Sequence, residues 1–184
     1  RLLESLQCAD YFEPPVLIIS LDGEASQSVV KIAESFQSTK FDVRIIRHSS
    51  RQGLRAHGIA SGDLTAQYES IIVLEDDLIV DRYFYLYAKQ AINFYKDSDK
   101  VAGIALYSHE YNELANLPFT PMLNGYDTYP MQVPCSWGQC WTRTQWSQFR
   151  AWYAGKEQSD LEGIIKLPRQ VKDWPDSSWK KFFA

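Results

Sequence analysis

Hydrophobic and polar positions alternate regularly along the first 106 residues, in short apolar runs and longer amphipathic stretches. Apolar runs of four to eight residues predict strands, and apolar residues three or four positions apart predict helices. The pattern predicts helices near residues 2–6, 26–36, 53–60 and 81–95, and strands at residues 16–21, 41–46, 70–74 and 101–106. Ser61-Gly62 indicates a C-cap for the third helix. This order is typical of an α/β protein with a mostly parallel, doubly wound sheet.

Three consecutive carboxylates, Glu75, Asp76 and Asp77, follow the third predicted strand. Ionised carboxylates are costly to bury, so we expect them where the strand leaves the core. Glu75 and Asp77 should project to one side and Asp76 to the other. Two carboxylates about 5 Å apart repel by roughly 3 kcal/mol at an effective dielectric near 20. A divalent cation such as Mg²⁺ or Mn²⁺ turns that repulsion into attraction, so the motif predicts a metal site. The alternative is an exposed acidic strand–helix junction with Asp81 as a helix N-cap.

Two further polar segments follow predicted strands. Asp22-Gly23 ends the first strand, and the basic, polar residues 47–51 follow the second. In doubly wound sheets, ligands bind in the crevice outside the carboxyl ends of the strands. The three polar features therefore predict a phosphate- and metal-binding site along one sheet edge.

The regular alternation stops after residue 106. Residues 107–129 are rich in Asn, Pro and Tyr and too long for a plain connection, which is typical of a binding loop or lid. Thr142 predicts the N-cap of a helix that runs to about Trp152, with short helices near residues 161–167 and after residue 176. All six Trp residues lie between Trp137 and Trp179.

Three cysteines, Cys8, Cys135 and Cys140, cannot all pair within one molecule. Cys135 and Cys140 are close enough in sequence for a small disulfide or a share in a metal site. Two free, buried thiols are the favoured interpretation, because no matching Cys or His cluster completes a zinc site.

Composition excludes several classes of protein. The chain has 184 residues, 45% hydrophobic and 23% charged, which predicts one soluble globular domain. The net charge of −4 argues against a nucleic-acid surface. No apolar run approaches the length of a membrane span. No Asn-x-Ser/Thr sequon occurs, which favours the cytoplasm. Helical spacing from the first residues, without a capping residue, predicts a chain truncated at its start, and the last predicted helix is cut at its end.

Together, Asp22-Gly23, the run from Leu74 to Leu78 (Leu-Glu-Asp-Asp-Leu) and the Trp-Gly segment at residues 135–141 resemble a GT-A glycosyltransferase. The similarity is to family-2-like enzymes and to the N-acetylglucosaminyltransferase I group, whose metal motif is also Glu-Asp-Asp-Leu. It extends over nearly the whole chain. The resemblance implies a GT-A fold with a nucleotide-binding half at residues 1–106 and a Trp-rich sugar- and acceptor-binding half at residues 107–184. It also implies that an opening strand is absent from this sequence.

The resemblance assigns the donor site residue by residue. Asp77 matches the direct ligand of the Mn²⁺ or Mg²⁺ that binds the nucleotide diphosphate. Glu75 and Asp76 match positions that contact the ribose, the donor sugar or metal-bound water, and Asp22 matches a nucleotide-contacting acid. Arg51 and Arg55 stand where the family brings basic residues toward the nucleotide; a solvated helix face is the alternative for both.

The second half carries the part of the resemblance that concerns the sugar and the acceptor. Trp137 and Gly138 match a segment that flanks the donor sugar, with core packing as the alternative for the Trp. The catalytic base of the N-acetylglucosaminyltransferase I group lies in an Asp-Asp-Trp, and this chain has Ser177-Ser178-Trp179 there. Asp176 is the predicted substitute, and a helix N-cap is the alternative interpretation.

The implied function is transfer of a sugar from a nucleotide sugar, with UDP the expected nucleotide, to a saccharide or glycolipid acceptor with inversion. Two other classes stay open: a catalytically inactive carbohydrate-binding module on the same fold, and a Mg²⁺-dependent phosphoryl-transfer enzyme. The expected location is the cytoplasm at a membrane surface, and the Golgi lumen is the alternative.

Overall fold

Helices and short strands alternate along the first two thirds of the chain. The computed structural model describes residues 1–112, 117–122, 124–126, 128–131 and 135–156. The helices are α1 (Leu2–Cys8), α2 (Gln27–Ser35), α3 (Gly53–Asp63), α4 (Phe84–Tyr95) and α5 (Arg143–Ala154). The strands are β1 (Val16–Leu21), β2 (Asp42–Arg47), β3 (Ser70–Val73), β4 (Ile104–Ala105), β5 (Tyr111–Asn112), β6 (Leu117–Pro118) and β7 (Gln139–Thr142). The protein is therefore a mixed α/β protein, as the hydrophobic pattern predicts.

The strands form three small sheets. β1 and β2 pair in parallel, with Val16 opposite Asp42 and Leu21 opposite Arg47. In the second sheet β7 lies between β3 and β4 and runs antiparallel to both. β3 and β4 therefore point the same way without pairing. The predicted parallel arrangement thus holds for the direction of these two strands but not for their pairing, because β7 from the second half of the chain takes the position between them.

Helix α4 organises the buried core. Its residues Phe84 and Tyr85 pack with Leu6 of α1 and Phe41 in one cluster of buried side chains. The opposite end of the same helix packs Ala88 and Ala91 against β4 and β7 in a second cluster. Ile72 and Leu106 contact both clusters, so the core is continuous from the first helix to the antiparallel sheet.

Helix α5 begins where the sequence predicts. The Thr142 side chain accepts a hydrogen bond from the backbone of Gln145, and the Gln145 side chain accepts one from the backbone of Thr142. This capping box satisfies backbone N–H groups that the first turn leaves without helical partners. The predicted end of α3 is wrong: the helix continues through Gly62 to Asp63, because Gly62 is buried beneath the indole ring of Trp146.

The predicted thiol state is confirmed. Cys135 and Cys140 are buried and unbridged, and Cys8 is exposed. Burial raises the pKa of Cys140 to about 12, so this thiol packs as a small apolar side chain. Among the helices of the described residues, none combines the length and the hydropathy needed to cross a membrane. The helices predicted near residues 161–167 and after residue 176 lie outside the described residues.

Candidate functional site

The acidic motif lies directly beyond the end of β3. The strand ends at Val73; Glu75 is half-buried, whereas Asp76 and Asp77 are exposed. The backbone N–H of Leu78 donates to the carbonyl oxygen of Glu75 at 3.2 Å, which closes a tight turn around the two exposed acids. The core therefore ends before the carboxylates begin, as the cost of burying them requires.

The acids do not form a complete metal cage. Among the described residues, no group of three or more His, Cys, Asp or Glu side chains is arranged to hold a metal ion. Mg²⁺ is commonly held by one or two carboxylates together with substrate phosphates, and it keeps several waters. An exposed pair such as Asp76 and Asp77 fits an ion that is bound jointly with a diphosphate, and does not fit a resident structural metal.

The junction downstream of the acids differs from the predicted one. Helix α4 begins at Phe84, and its N-cap residue Tyr83 provides no side-chain hydrogen bond. The carboxylate of Asp81 instead accepts a hydrogen bond from the backbone N–H of Tyr83 at 2.7 Å. Asp81 thus stabilises the turn before the helix and does not act as its N-cap.

A cleft of about 280 Å³ adjoins the acidic motif. Leu74 and Leu78, the residues on either side of the three acids, both line it, and Leu106 contributes to its wall. Tyr107 and Trp137 form an exposed rim, with 40% and 46% of their surfaces accessible. Their rings meet edge to face with centroids 4.7 Å apart. The two residues that flank the acidic motif therefore line the same cavity as the aromatic pair.

Gly138 sets the position of Trp137. Its φ of 79° lies in the left-handed region, which glycine adopts without steric cost. Its carbonyl oxygen accepts a hydrogen bond from the backbone N–H of Leu106 at 2.8 Å. This glycine conformation and hydrogen bond hold Trp137 beside the end of β4.

Asp22 binds backbone N–H groups at the start of α3. Its carboxylate accepts hydrogen bonds from Gln52 at 2.6 Å, Gly23 at 2.7 Å and Gly53 at 3.3 Å. The hydrogen bond from Gln52, above all, lowers the pKa of Asp22 below its ordinary value. The predicted nucleotide-contacting acid therefore also stabilises the N-terminal end of this helix, where a negative charge is favoured.

Gly23 allows that arrangement, and Gly23→Ala is expected to disrupt it. A methyl group at Gly23 would overlap the backbone of Ser50, which cannot rotate away as a side chain can. Overpacking costs about 1–3 kcal/mol, and loss of the Asp22 cap adds about 0.5–2 kcal/mol. Urea denaturation should show this loss in the free energy of unfolding. Gly58→Ala, within α3, is the control, because a methyl group there meets no atom of the surrounding structure within 4 Å, and we expect it to be neutral or stabilising. Equal stability of the two variants would contradict the prediction.

The two predicted basic residues differ in their surroundings. Arg51 is exposed and lies 3.6 Å from the carboxylate of Glu24, an ion pair of small energetic value. Arg55 donates a hydrogen bond to the hydroxyl of Tyr153 at 2.8 Å and stacks on its ring. Arg51 is the more accessible of the two to an anionic ligand, whereas Arg55 joins α3 to α5.

A histidine pair lies beside Asp22, and the sequence pattern did not predict it. The Ser20 hydroxyl lies 2.7 Å from Nε2 of His57 and 3.3 Å from Nε2 of His48, with the rings edge to face. Burial and the neighbouring His48 lower the pKa of His57, which favours its neutral form. The polar Ser20 within the apolar run of β1 was the one available signal. These side chains cluster with Asp22 because β1, the end of β2 and α3 meet there.

The predicted site residues that the structure describes lie in two separate regions. One surrounds the start of α3 and contains Asp22, Arg51 and Arg55. The other contains Trp137 and Gly138, which line the cleft, and the acids at residues 75–77, which lie along the chain between the lining residues Leu74 and Leu78. Leu17 and Val43 from the first sheet and Leu74 and Leu106 from the cleft pack on one core cluster, which links the surroundings of the two regions. Asp176 lies outside the described residues. No family model, curated protein or solved structure matches the chain.

Proposed function

We propose that this protein is a metal-dependent glycosyltransferase of the GT-A class. It transfers a sugar, with inversion, from a nucleotide sugar such as a UDP-sugar to a saccharide or glycolipid acceptor. One observation carries the proposal: Leu74 and Leu78, which bracket the three acids, line the same cleft as Trp137 and Tyr107. Carboxylates suited to a metal diphosphate thus stand next to aromatic faces suited to a sugar. A cytoplasmic position at a membrane surface belongs to the same proposal, with the Golgi lumen as the alternative.

The acids of the turn supply the negative charge that would bind a divalent cation together with the donor diphosphate. A divalent cation, when bound, stabilises the charge that develops on the departing nucleoside diphosphate. Asp77 is the direct ligand in this proposal, and Glu75 and Asp76 contact the ribose, the donor sugar or metal-bound water. The exposure of Asp76 and Asp77 lets both reach a ligand without moving the core.

The group around α3 holds the nucleotide in this proposal. An ionised carboxylate offers about four acceptor positions, and three backbone N–H groups use those of Asp22. About one position is left for an N–H or hydroxyl of the nucleotide. Arg51 is the accessible cation for the diphosphate. Because Asp22 is fastened to the helix, it contributes a fixed contact without a cost in side-chain entropy.

The acceptor hydroxyl must lose a proton as it attacks the anomeric carbon. Asp176 is the proposed general base, and such a group commonly contributes a factor of about 10²–10⁴ to the rate. Trp137, fixed by the turn at Gly138, supplies an apolar face for the donor sugar.

Hydrolysis of nucleotide sugars tests this proposal. The protein is incubated with a panel of UDP- and GDP-sugars and Mn²⁺ or Mg²⁺, and free nucleoside diphosphate is measured with and without excess EDTA. We expect release that depends on the metal and is restricted to few donors. Saccharide binding without release in either metal would favour the binding module, and cleavage of the diphosphate to nucleoside monophosphate and sugar phosphate would favour the phosphoryl-transfer enzyme.

A further inference from the structure

The cleft beside the acidic motif has an interior that differs from its rim. Phe84 is buried at its base, and Leu74, Val80 and Leu106 are half-buried along its walls. The rim consists of exposed side chains, among them Ile79 with 62% of its surface accessible. The interior is thus apolar apart from the hydroxyl of the half-buried Tyr87, and the rim combines aromatic and aliphatic side chains with the exposed carboxylate of Asp81.

A sugar does not fit such an interior. A pyranose carries hydroxyl groups on most of its carbons, and each one buried without a hydrogen bond is costly. The apolar side chains of the interior offer no donor or acceptor, and the single hydroxyl of Tyr87 cannot pair several sugar hydroxyls. The carboxylate of Asp81 is exposed and belongs to the rim. A sugar fits the rim, where Trp137 and Tyr107 face water. The interior fits a ligand segment without polar atoms.

The size of the cleft limits that segment. Ligand pockets of whole drug-sized molecules measure about 300–1,000 Å³, and this cavity has about 280 Å³. It is therefore large enough for a small ligand or for one segment of a larger one. Leu74 and Leu78 of the lining flank the three acids along the chain, so the remainder of a larger ligand would lie toward the acids.

We propose that the cleft binds the alkyl part of a lipid-linked acceptor, whose sugar lies against Tyr107 at the rim and faces the donor sugar at Trp137. That the ligand is a sugar acceptor rests on the proposed function. That it carries an alkyl group rests on the lining of the cleft. Of the two acceptor classes in the proposed function, the inference favours the glycolipid over the free saccharide. It also gives the exposed Ile79 a function, as an apolar contact at the entrance to the cleft.

Two probes with the same sugar isolate the alkyl contribution. Octyl and methyl β-D-glucopyranoside, the octyl compound below its micelle threshold, are titrated against the protein without donor or metal and followed by saturation-transfer NMR. We expect the octyl probe to bind at least about tenfold more tightly, the effect of burying about two methylene groups. Saturation should be strongest on its chain protons. Equal affinity of the two probes, or saturation confined to the sugar protons, would overturn the inference.

Two matched variants locate the site. Ile79→Ser should weaken octyl binding at least about fivefold, whereas Phe94→Ser should leave it unchanged. Phe94 is a control of the same kind, because it is apolar, 77% exposed and outside the cleft. Equal loss in both variants, or displacement of the octyl probe by UDP, would also overturn the inference. Donor hydrolysis is measured separately: octyl binding by a protein that hydrolyses no donor overturns the proposed function, and hydrolysis without octyl binding overturns the alkyl site alone.

Discussion

Asp77→Ala is expected to remove metal-dependent binding of the nucleotide sugar while the fold stays intact. Loss of a partner in the outer shell of a metal costs about 10–100-fold in affinity, so loss of the direct ligand should cost at least ~100-fold. The side chain is exposed beyond the end of β3, and its removal leaves no cavity in the core. Calorimetric titration with the donor and Mn²⁺ measures the effect, and circular dichroism checks the fold.

Two further variants sharpen this test. Asp77→Asn keeps the shape of the side chain and removes its charge, so a loss equal to that of Asp77→Ala identifies charge as the property that matters. Asp99→Ala removes another exposed carboxylate, beyond the end of α4, and should bind the donor normally. Undiminished affinity of both Asp77 variants would exclude this residue as the metal ligand.

The features that the sequence predicted well are set by nearby residues. Thr142 accepts a hydrogen bond from a backbone N–H group at the start of α5, as predicted, and α2 begins beside residue 26, where its helix is predicted to start. The acids of residues 75–77 lie beyond the end of β3 because no buried strand tolerates them. Each of these features depends on residues a few positions apart, so the pattern along the chain is sufficient to predict it.

The features that the sequence did not predict depend on distant residues. Strand β7 is four residues long and lies between β3 and β4 through hydrogen bonds to residues more than 30 positions away. Its residues Gln139–Thr142 show no alternation of buried and exposed side chains that would have predicted a central strand. The pairing of Ser20 with His48 and His57 likewise spans 28 and 37 positions. Periodicity carries no information about such contacts.

Gly62 shows how a local signal is overridden by packing. Glycine after an apolar periodic segment commonly ends a helix in the left-handed conformation. In this protein Gly62 lies inside α3, and the Trp146 ring occupies the space that a Cβ would need. The same indole donates a hydrogen bond to Asp63 at 2.8 Å and packs against Trp141 and Phe149. The glycine is required for the contact between α3 and α5, and this requirement is invisible 84 residues earlier in the chain.

Trp146→Ala is therefore expected to be the most destabilising substitution in the described structure. Truncation of a buried Trp costs about 3–5 kcal/mol, a large part of the ~5–15 kcal/mol that a typical domain has. Urea denaturation should show a lower free energy of unfolding by that amount. An unchanged midpoint and slope would mean that α5 does not pack on α3 as described.

A double-mutant cycle with Gly62→Ala isolates the contact itself. Alone, Gly62→Ala should destabilise by about 1–3 kcal/mol, because the methyl group overlaps the indole. In the Trp146→Ala background the overlap is gone, and the same change should stabilise by about 0.5–1 kcal/mol through the higher helix propensity of alanine. The sign of the effect thus reverses, whereas Gly58→Ala, which contacts nothing, should have the same effect in both backgrounds. Additive effects of the Gly62 and Trp146 substitutions would exclude direct packing, because only residues in contact couple to this extent.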